Sequence, residues 1–245
     1  MNVLEHYALQ LDDLRKQGNL RQFTTNIQMG RDIQINDRNM LNLSSNDYLG
    51  LAVDERLREE FFDLIPISEQ RMSSSSSRLL TGNFPEYEQL EHTLSQLFEN
   101  RSVLLFNSGY HMNIGILPAL CDSKTLILAD KLVHASLIDG MRLSTAQYVR
   151  YRHNDLNHLD ALLKKYQADQ TFERIIIVTE SIFSMDGDEA DLAALVALKK
   201  QYSNVMLYVD EAHAIGVRGK QGLGIVEQAA VIQDVDFIVG TFGKA

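Results

Sequence analysis

The chain has 245 residues, of which 45% are hydrophobic and 23% are charged, and its formal net charge is −10. These values are typical of a globular protein with a sizeable core, and the negative charge argues against nucleic acid or an anionic membrane as a general partner. No stretch approaches the ~20 apolar residues that a membrane-spanning helix needs, and the acidic N-terminus does not resemble a signal peptide. The single cysteine, Cys121, cannot form an intramolecular disulfide, so we expect a cytoplasmic protein in which Cys121 is packed as a small apolar side chain.

Helical spacing of apolar residues dominates the first hundred residues. Near the N-terminus, Leu4, Tyr7 and Leu11 recur at intervals of three or four residues, which predicts a helix. Two further helices are predicted within residues 51–72 and 84–99. The low-complexity run of five serines between them is typical of a flexible connector.

From about residue 100, short β-branched apolar runs alternate with helical patterns, of which residues 188–203 are the clearest. Near-continuous apolar strands separated by helices are typical of a parallel sheet that is covered on both faces. The sequence therefore predicts an α/β fold. The predicted strands lie within residues 102–109, 124–130, 146–152, 174–181, 205–213 and 236–244.

Three of these strands end on charged residues, namely Glu180, Asp210 and Lys244. Consecutive members of this set are about one βαβ unit apart. Because ligands bind outside the carboxyl ends of the strands in such sheets, we expect these residues to face one site. Further residues expected at strand ends are Ser108, Gly109, Tyr110, Asp130, His134 and His213.

Three kinds of site could combine an acid, a lysine and two histidines. A metal site is disfavoured because no histidine pair has HxxxH spacing. The stretch Asp210-Glu211-Ala212-His213 matches an acidic motif of some helicases, but the chain has no GxxxxGK[ST] phosphate loop. Pyridoxal phosphate (PLP) fits every part. Its aldehyde forms a Schiff base with a lysine, an acid pairs with its ring nitrogen, and its phosphate suits a loop that enters a helix.

Eight stretches resemble, in the same order, the α-oxoamine synthases, which are PLP-dependent enzymes of fold type I. This resemblance implies a large cofactor domain with a mostly parallel central sheet. It also implies an N-terminal segment of residues 1–50 with a helix and short strands. Because chains of that family continue past the matching lysine, it further implies a large domain of residues 51–245 that is truncated just after the lysine, and a missing C-terminal small domain. The stretches are NLSSNDYLGL (42–51), SRLLTGN (77–83), FNSGYHMN (106–113), DKLVHAS (130–136), TESIFSMDGD (179–188), VDEAHAIGV (209–217), GKQGLG (219–224) and TFGKA (241–245).

The same resemblance implies a role for each candidate residue. Lys244 would be the Schiff-base lysine and the base that removes the substrate Cα proton. Asp210 would pair with the ring nitrogen, and His134 would stack on the ring. The other implied contacts are His213 and Ser184 with the ring hydroxyl, Ser108, Gly109, Tyr110 and Thr241 with the phosphate or beside the ring, and Arg21 and Asn46 with the substrate.

The implied reaction is a decarboxylating condensation of an amino acid with an acyl thioester to an α-amino ketone. The stretches fit best the branch that joins L-alanine to pimeloyl-CoA, or its carrier-protein equivalent, in biotin synthesis. Other branches of the family and a non-catalytic partner subunit stay open. A homodimer is also implied. The chain departs from the family at Ser73–Ser77, where a glycine-rich loop is usual, and at Tyr87, where histidine is frequent, so the acyl-donor pocket is expected to differ.

Overall fold

A computed structural model describes residues 3–169 and 171–245. The chain divides into two compact units, Met1–Ser45 and Asn46–Ala245. Within the described ranges, no helix is both long and apolar enough to cross a membrane. The predicted division into a segment of residues 1–50 and a cofactor domain of residues 51–245 stays a prediction.

The first unit contains the predicted N-terminal helix and a small antiparallel sheet with the strand order β1-β2-β3. Asn36 and Asp37 form the two-residue loop between the second and third strands, with φ angles of 47° and 59°. A tight hairpin of type I′ requires positive φ at both loop positions, and Asn and Asp tolerate it. The elements are α1 (Val3–Lys16), β1 (Ile27–Met29), β2 (Asp32–Ile35) and β3 (Arg38–Leu41).

The second unit contains the helices that were predicted from apolar spacing. The helix predicted within residues 51–72 ends at Leu64 because Ile65 precedes Pro66, and a residue before proline is driven into the extended conformation. The helices are α2 (Glu55–Leu64), α3 (Pro85–Leu97), α4 (Gly109–Leu120), α5 (Ala135–Leu143), α6 (Leu156–Asp169), α7 (Leu192–Lys199) and α8 (Ile225–Gln228), with a short 3-10 helix at Leu51–Val53.

Five parallel strands form the central sheet of this unit, in the order β5-β4-β6-β7-β8. The three inner strands are almost entirely buried, whereas the edge strand β5 is largely exposed. The predicted α/β fold with a mostly parallel sheet is confirmed. The strands are β4 (Thr125–Asp130), β5 (Gln147–Tyr151), β6 (Arg174–Glu180), β7 (Val205–Asp210) and β8 (Phe237–Val239).

The strand predicted at residues 102–109 is wrong. Residues 101–107 have no regular structure, and α4 begins at Gly109. The N–H of Leu105 donates to the Glu91 carboxylate at 2.8 Å instead of joining a ladder, and the Leu104 side chain is 61% exposed. An apolar run is compatible with a strand, but the run does not reveal whether a neighbouring strand is present to pair with it.

Local hydrogen bonds fold the serine run back on itself. Ser75 has a φ of 53°, and its N–H donates to Ser73 Oγ at 3.1 Å. The adjacent Arg78 forms two hydrogen bonds with Glu91, at 2.6 and 2.9 Å, and its guanidinium lies 4.5 Å from the centre of the Tyr87 ring. The serine run and Tyr87 are the two places where the chain departs from the family pattern, and Arg78 is adjacent to both. Their effect on an acyl-donor pocket stays a prediction.

Close packing joins α4 and α5, the helices that precede β4 and β5. A Cβ atom added at Gly140 in α5 would lie 3.0 Å from Leu117 Cδ1 and closer still to the carbonyl oxygen of Asn113 in α4. By contrast, a Cβ added at Gly115 in α4 would make an ordinary contact of 3.8 Å with Phe106. Gly140 therefore sets the distance between the helices.

We expect Gly140→Ala to lower the free energy of unfolding by about 1–3 kcal/mol, because overpacking must push the two helices apart. The matched change Gly115→Ala should raise it by roughly 0.5–1 kcal/mol, since alanine favours the helix and meets no obstacle there. Urea denaturation of both variants measures the difference. Equal effects of the two substitutions would contradict the packing argument.

Candidate active site

A cavity of about 190 Å³ lies at the carboxyl ends of the strands in the second unit. Seven of the predicted site residues line it, together with several residues that were not predicted. The lining residues are Gly109, Tyr110, Met112, Asn113, His134, Ser136, Glu180, Asp210, Ala212, His213, Gly240, Thr241 and Lys244.

The start of α4 forms one wall of this cavity. Ser108 caps the helix, with its Oγ accepting a hydrogen bond from the N–H of His111 at 3.1 Å. A Cβ added at Gly109 would lie 3.8 Å from the Cβ of Thr241, so the loop after β8 faces the helix start. The free N–H groups of a helix start attract anions. This wall suits a phosphate group.

Asp210 is buried at the end of β7. Its carboxylate accepts hydrogen bonds from Asn113 Nδ2 at 3.0 Å and from the N–H of Ala212 at 2.9 Å. Burial raises the pKa of Asp210, and the hydrogen bonds and the positive charges of Lys244 and His134 oppose that shift without cancelling it. A buried carboxyl group with a raised pKa is stabilised in its charged form by a cation, so Asp210 suits the protonated ring nitrogen of a cofactor.

A polar network fixes the orientation of that carboxylate. The Tyr208 hydroxyl donates to Asn113 Oδ1 at 2.6 Å, so Asn113 Nδ2 is directed to Asp210 and to Ser136 Oγ, the latter at 2.9 Å. Ser136 Oγ in turn lies 2.8 Å from His134 Nδ1. The network thus connects the acid of β7 with the histidine that precedes α5. Sequence reasoning missed Asn113, although it lies four residues after Gly109 and hence on the same helix face.

Lys244 begins a second chain of hydrogen bonds. Its Nζ lies 2.8 Å from His213 Nε2, and His213 Nδ1 lies 2.7 Å from the Tyr48 hydroxyl. The Tyr48 hydroxyl donates to Asn46 Oδ1 at 3.2 Å. If each group donates to the next, His213 carries its proton on Nδ1 and leaves Nε2 free to accept from the lysine. Tyr48 was not predicted, but it belongs to the NDYLG stretch that contains Asn46.

The electrostatics of these two side chains favour neutral forms. Burial, followed by the positive charges of Lys244 and His134, lowers the pKa of His213 to about 4. Burial also lowers the pKa of Lys244, while the charges of Asp210 and Glu180 act in the opposite direction. A lysine amine with a lowered pKa is a better nucleophile and base near neutral pH.

Glu180 lies beside Asp210, because β6 and β7 pair these two residues in register. Burial, then the charge of Asp210, raises the pKa of Glu180 to about 8. The carboxyl group accepts a hydrogen bond from the N–H of His134. The sequence predicts that Glu180 faces the site; in the structure it lines the cavity and also holds the backbone of His134.

Ser184 occupies an exposed turn after β6 and is not among the residues that line the cavity. Arg21 belongs to the first unit. Their roles, like those of the other site residues, stay predictions.

Comparisons with known proteins place the chain among PLP-dependent enzymes. The family model described as aminotransferase class I and II matches residues 38–245. A protein of Pasteurella multocida, provisionally named 8-amino-7-oxononanoate synthase, is 59% identical over 243 residues, which are 99% of this chain and 62% of the relative. A protein of Haemophilus influenzae with the same provisional name is 57% identical over 242 residues, or 99% of this chain and 63% of the relative.

Solved structures show the same likeness. The Sphingomonas wittichii serine palmitoyltransferase has a TM-score of 0.86 and 29% identity, with 100% of this chain and 61% of that chain covered. The 8-amino-7-oxononanoate synthase of Francisella tularensis has a TM-score of 0.65 and 28% identity, with 82% and 54% covered. The chain therefore spans about three fifths of the length of the curated relatives that it matches.

These matches confirm the predicted resemblance to the α-oxoamine synthases, the fold of type I and PLP as the cofactor of the family. Since the family model covers most of the sequence, the chain belongs to the aminotransferase class I and II family.

Proposed function

We propose that this chain is the cofactor-binding part of an α-oxoamine synthase that acts in biotin synthesis. The reaction joins L-alanine to pimeloyl-CoA, or to pimeloyl-carrier protein, and releases CO₂ and the thiol to give 8-amino-7-oxononanoate. The observation that carries the cofactor assignment is the meeting of Lys244 and the buried Asp210 at one cavity. The substrates rest on the provisional names of relatives that are 57–59% identical.

When bound, PLP supplies an aldehyde that captures amines and a protonated ring that accepts the electron pair released at the substrate Cα. Lys244 would bond that aldehyde and would later take the substrate Cα proton on its Nζ. Its lowered pKa favours both tasks, since each needs the neutral amine. His213, with its low pKa, accepts a hydrogen bond from Nζ without competing for the proton.

Asp210 keeps the proton on the ring nitrogen. Its negative charge stabilises a cation in a buried place where an unpaired charge would be strongly disfavoured. Asn113 and the N–H of Ala212 hold the two carboxylate oxygens, which would keep the acid directed at the ring. The start of α4 and Thr241 would bind the phosphate, and His134, held by Ser136, would cover the ring face.

The remaining partners are also proposals. The chain would meet an amino acid and an acyl thioester as small substrates in the cytoplasm and would assemble as a homodimer. Large apolar side chains on and after α2 support an assembly, because Phe61, Phe62 and Leu64 are 56%, 55% and 79% exposed.

A serine palmitoyltransferase type of reaction is the second candidate. The structural likeness to the Sphingomonas wittichii enzyme extends over the whole chain at a TM-score of 0.86, against 0.65 for the Francisella tularensis enzyme. The two reactions would differ in the acyl group and in the amino acid, which is L-serine in the second case. The amino-acid preference therefore separates the two.

We expect the chain to turn yellow with PLP and to become labelled at Lys244 after borohydride reduction. Lys244→Ala should abolish both the absorption band and the label, because the amine that bonds the aldehyde is lost. Lys220→Ala, which removes an exposed lysine, should change neither. Absorption spectra and peptide mapping by mass spectrometry provide the measurement, and a label on other lysines in place of Lys244 would refute the assignment.

L-alanine should perturb the spectrum of the PLP-loaded chain at lower concentration than L-serine does, by roughly tenfold, since a pocket shaped for a methyl group gains from excluding a larger polar one. Titrations with both amino acids, each with its D-enantiomer as the control, measure the preference. A preference for L-serine would favour the second candidate.

Removal of the Asn113 side-chain amide should weaken PLP binding mainly at low pH. Asp210 then loses a hydrogen bond that lowers its pKa, so it takes up a proton at higher pH and the fall in PLP affinity moves to higher pH. Asn113→Ala is compared with Asn107→Ala, which alters an exposed asparagine of the same stretch. Fluorescence titration of PLP across pH 5–8 provides the test; identical pH profiles would show that Asn113 does not act on Asp210.

A further inference from the structure

His153 lies two residues beyond β5, with its ring between two carboxylates. Its Nδ1 is 2.8 Å from Asp130 Oδ1, and its Nε2 is 2.6 Å from Asp188 Oδ2. The ring also packs edge-on against Phe183, with a centroid distance of 4.5 Å. Carboxylate oxygens accept hydrogen bonds, so both ring nitrogens satisfy their partners when both carry a proton. The geometry is that of an imidazolium joining two acids.

The charges around the ring support the protonated form. Burial alone lowers the pKa of His153, but hydrogen bonds to Asp130 and Asp188 and the negative charges of both acids raise it above its usual value. Asp130 is fully buried, whereas the Asp188 side chain is 39% exposed. These two carboxylates, one on β4 and one on the loop after β6, are the charged groups that act on the ring.

Asp130 is connected through a short stretch of backbone to His134, which lines the cavity. Asp130 ends β4, and its Oδ1 also accepts a hydrogen bond from the N–H of Leu132 at 2.8 Å. The backbone then reaches His134 at the start of α5. Asp130 therefore fixes both His153 and the beginning of the segment that carries His134.

The other acid closes a small hairpin of residues 182–189. The N–H of Phe183 donates to the carbonyl of Asp188 at 3.0 Å, and Ile182 pairs with Glu189 in an antiparallel bridge. Ser184 lies within this hairpin. Asn154 strengthens the same connection, since its N–H donates to Asp130 Oδ2 at 2.9 Å and its Nδ2 donates to Asp188 Oδ2 at 2.7 Å.

We propose that His153 is a positioning residue that, as an imidazolium, clamps the hairpin 182–189 to the end of β4. The clamp holds Ser184 in place relative to His134, without itself contacting the cofactor. This inference rests on the proposed function, because His134 is proposed to cover the PLP ring and Ser184 is predicted from the sequence to contact the ring hydroxyl.

Hydrogen exchange of the chain without cofactor tests the clamp itself. The N–H groups of Phe183 and Gly187 form the hydrogen bonds of the hairpin, and those of Ile177 and Val178 report on the neighbouring strand. In His153→Gln, we expect exchange at the hairpin, corrected for intrinsic rates, to accelerate by roughly tenfold, the factor for loss of a hydrogen bond to a charged group. The strand amides should not change. Asp188→Asn, on the exposed side of the clamp, should have the same effect.

The pH dependence distinguishes a charged clamp from simple packing. Because the folded-state pKa of His153 is raised, its stabilisation is fully present below the unfolded value of ~6.5 and is lost as the pH rises through the folded value. In the unsubstituted chain, protection of the hairpin amides from exchange should therefore decrease as the pH increases through the folded-state pKa. In His153→Gln, this pH dependence should be absent. His92→Gln, at an exposed histidine of α3, is the control and should retain it.

Cofactor affinity provides the second measurement. We expect His153→Gln and Asp188→Asn to weaken PLP binding severalfold and His92→Gln to leave it unchanged. Unaltered hairpin exchange in both clamp variants, accelerated exchange throughout the sheet, or a loosened hairpin with unchanged PLP affinity would each overturn the proposal. Failure of the unsubstituted chain to bind PLP would contradict the proposed function instead, and hydrogen exchange would still decide whether the clamp exists.

Discussion

The second unit depends on the burial of two carboxyl groups side by side. Glu180 and Asp210 end adjacent parallel strands in register, and both side chains are almost completely excluded from water. Like charges that share a buried place raise each other's pKa, and an unpaired buried charge is strongly unfavourable. Hydrogen-bond donors surround both carboxyl groups. Asn113 and a backbone N–H donate to Asp210, and the N–H of His134 donates to Glu180.

Helix packing makes that arrangement possible. Because Gly140 lets α5 approach α4 closely, Asn113 on α4 and Ser136 on α5 come within hydrogen-bond distance of each other. The same contact brings Tyr208 of the sheet into the network. A second polar cluster, around His153, ties the ends of β5 and β4 to the loop after β6. Backbone packing and polar contacts thus fix the same strand ends from two sides.

The strands of the sheet and the residues at their ends could be predicted, because an inner parallel strand is a continuous apolar run and its last residue faces the ligand side. The absence of a strand at residues 102–109 could not be predicted, since pairing depends on a neighbouring strand that the apolar run does not encode. Asn113, Ser136 and Tyr48 were missed for a related reason. Each is a common polar residue in a helix or loop, and its role depends on hydrogen-bond partners that are distant in the sequence.

The residues that line the cavity extend from Gly109 to Lys244, so they are synthesised at different times and Lys244 is the last. A ribosome that adds about 5–20 residues per second needs on the order of ten seconds to make this stretch. Near the end of that interval Glu180 and Asp210 are already present, whereas the side chain of Lys244 is not. Because burial raises the pKa of both acids, we expect them to be buried together before Lys244 is added only when at least one of them is protonated and neutral.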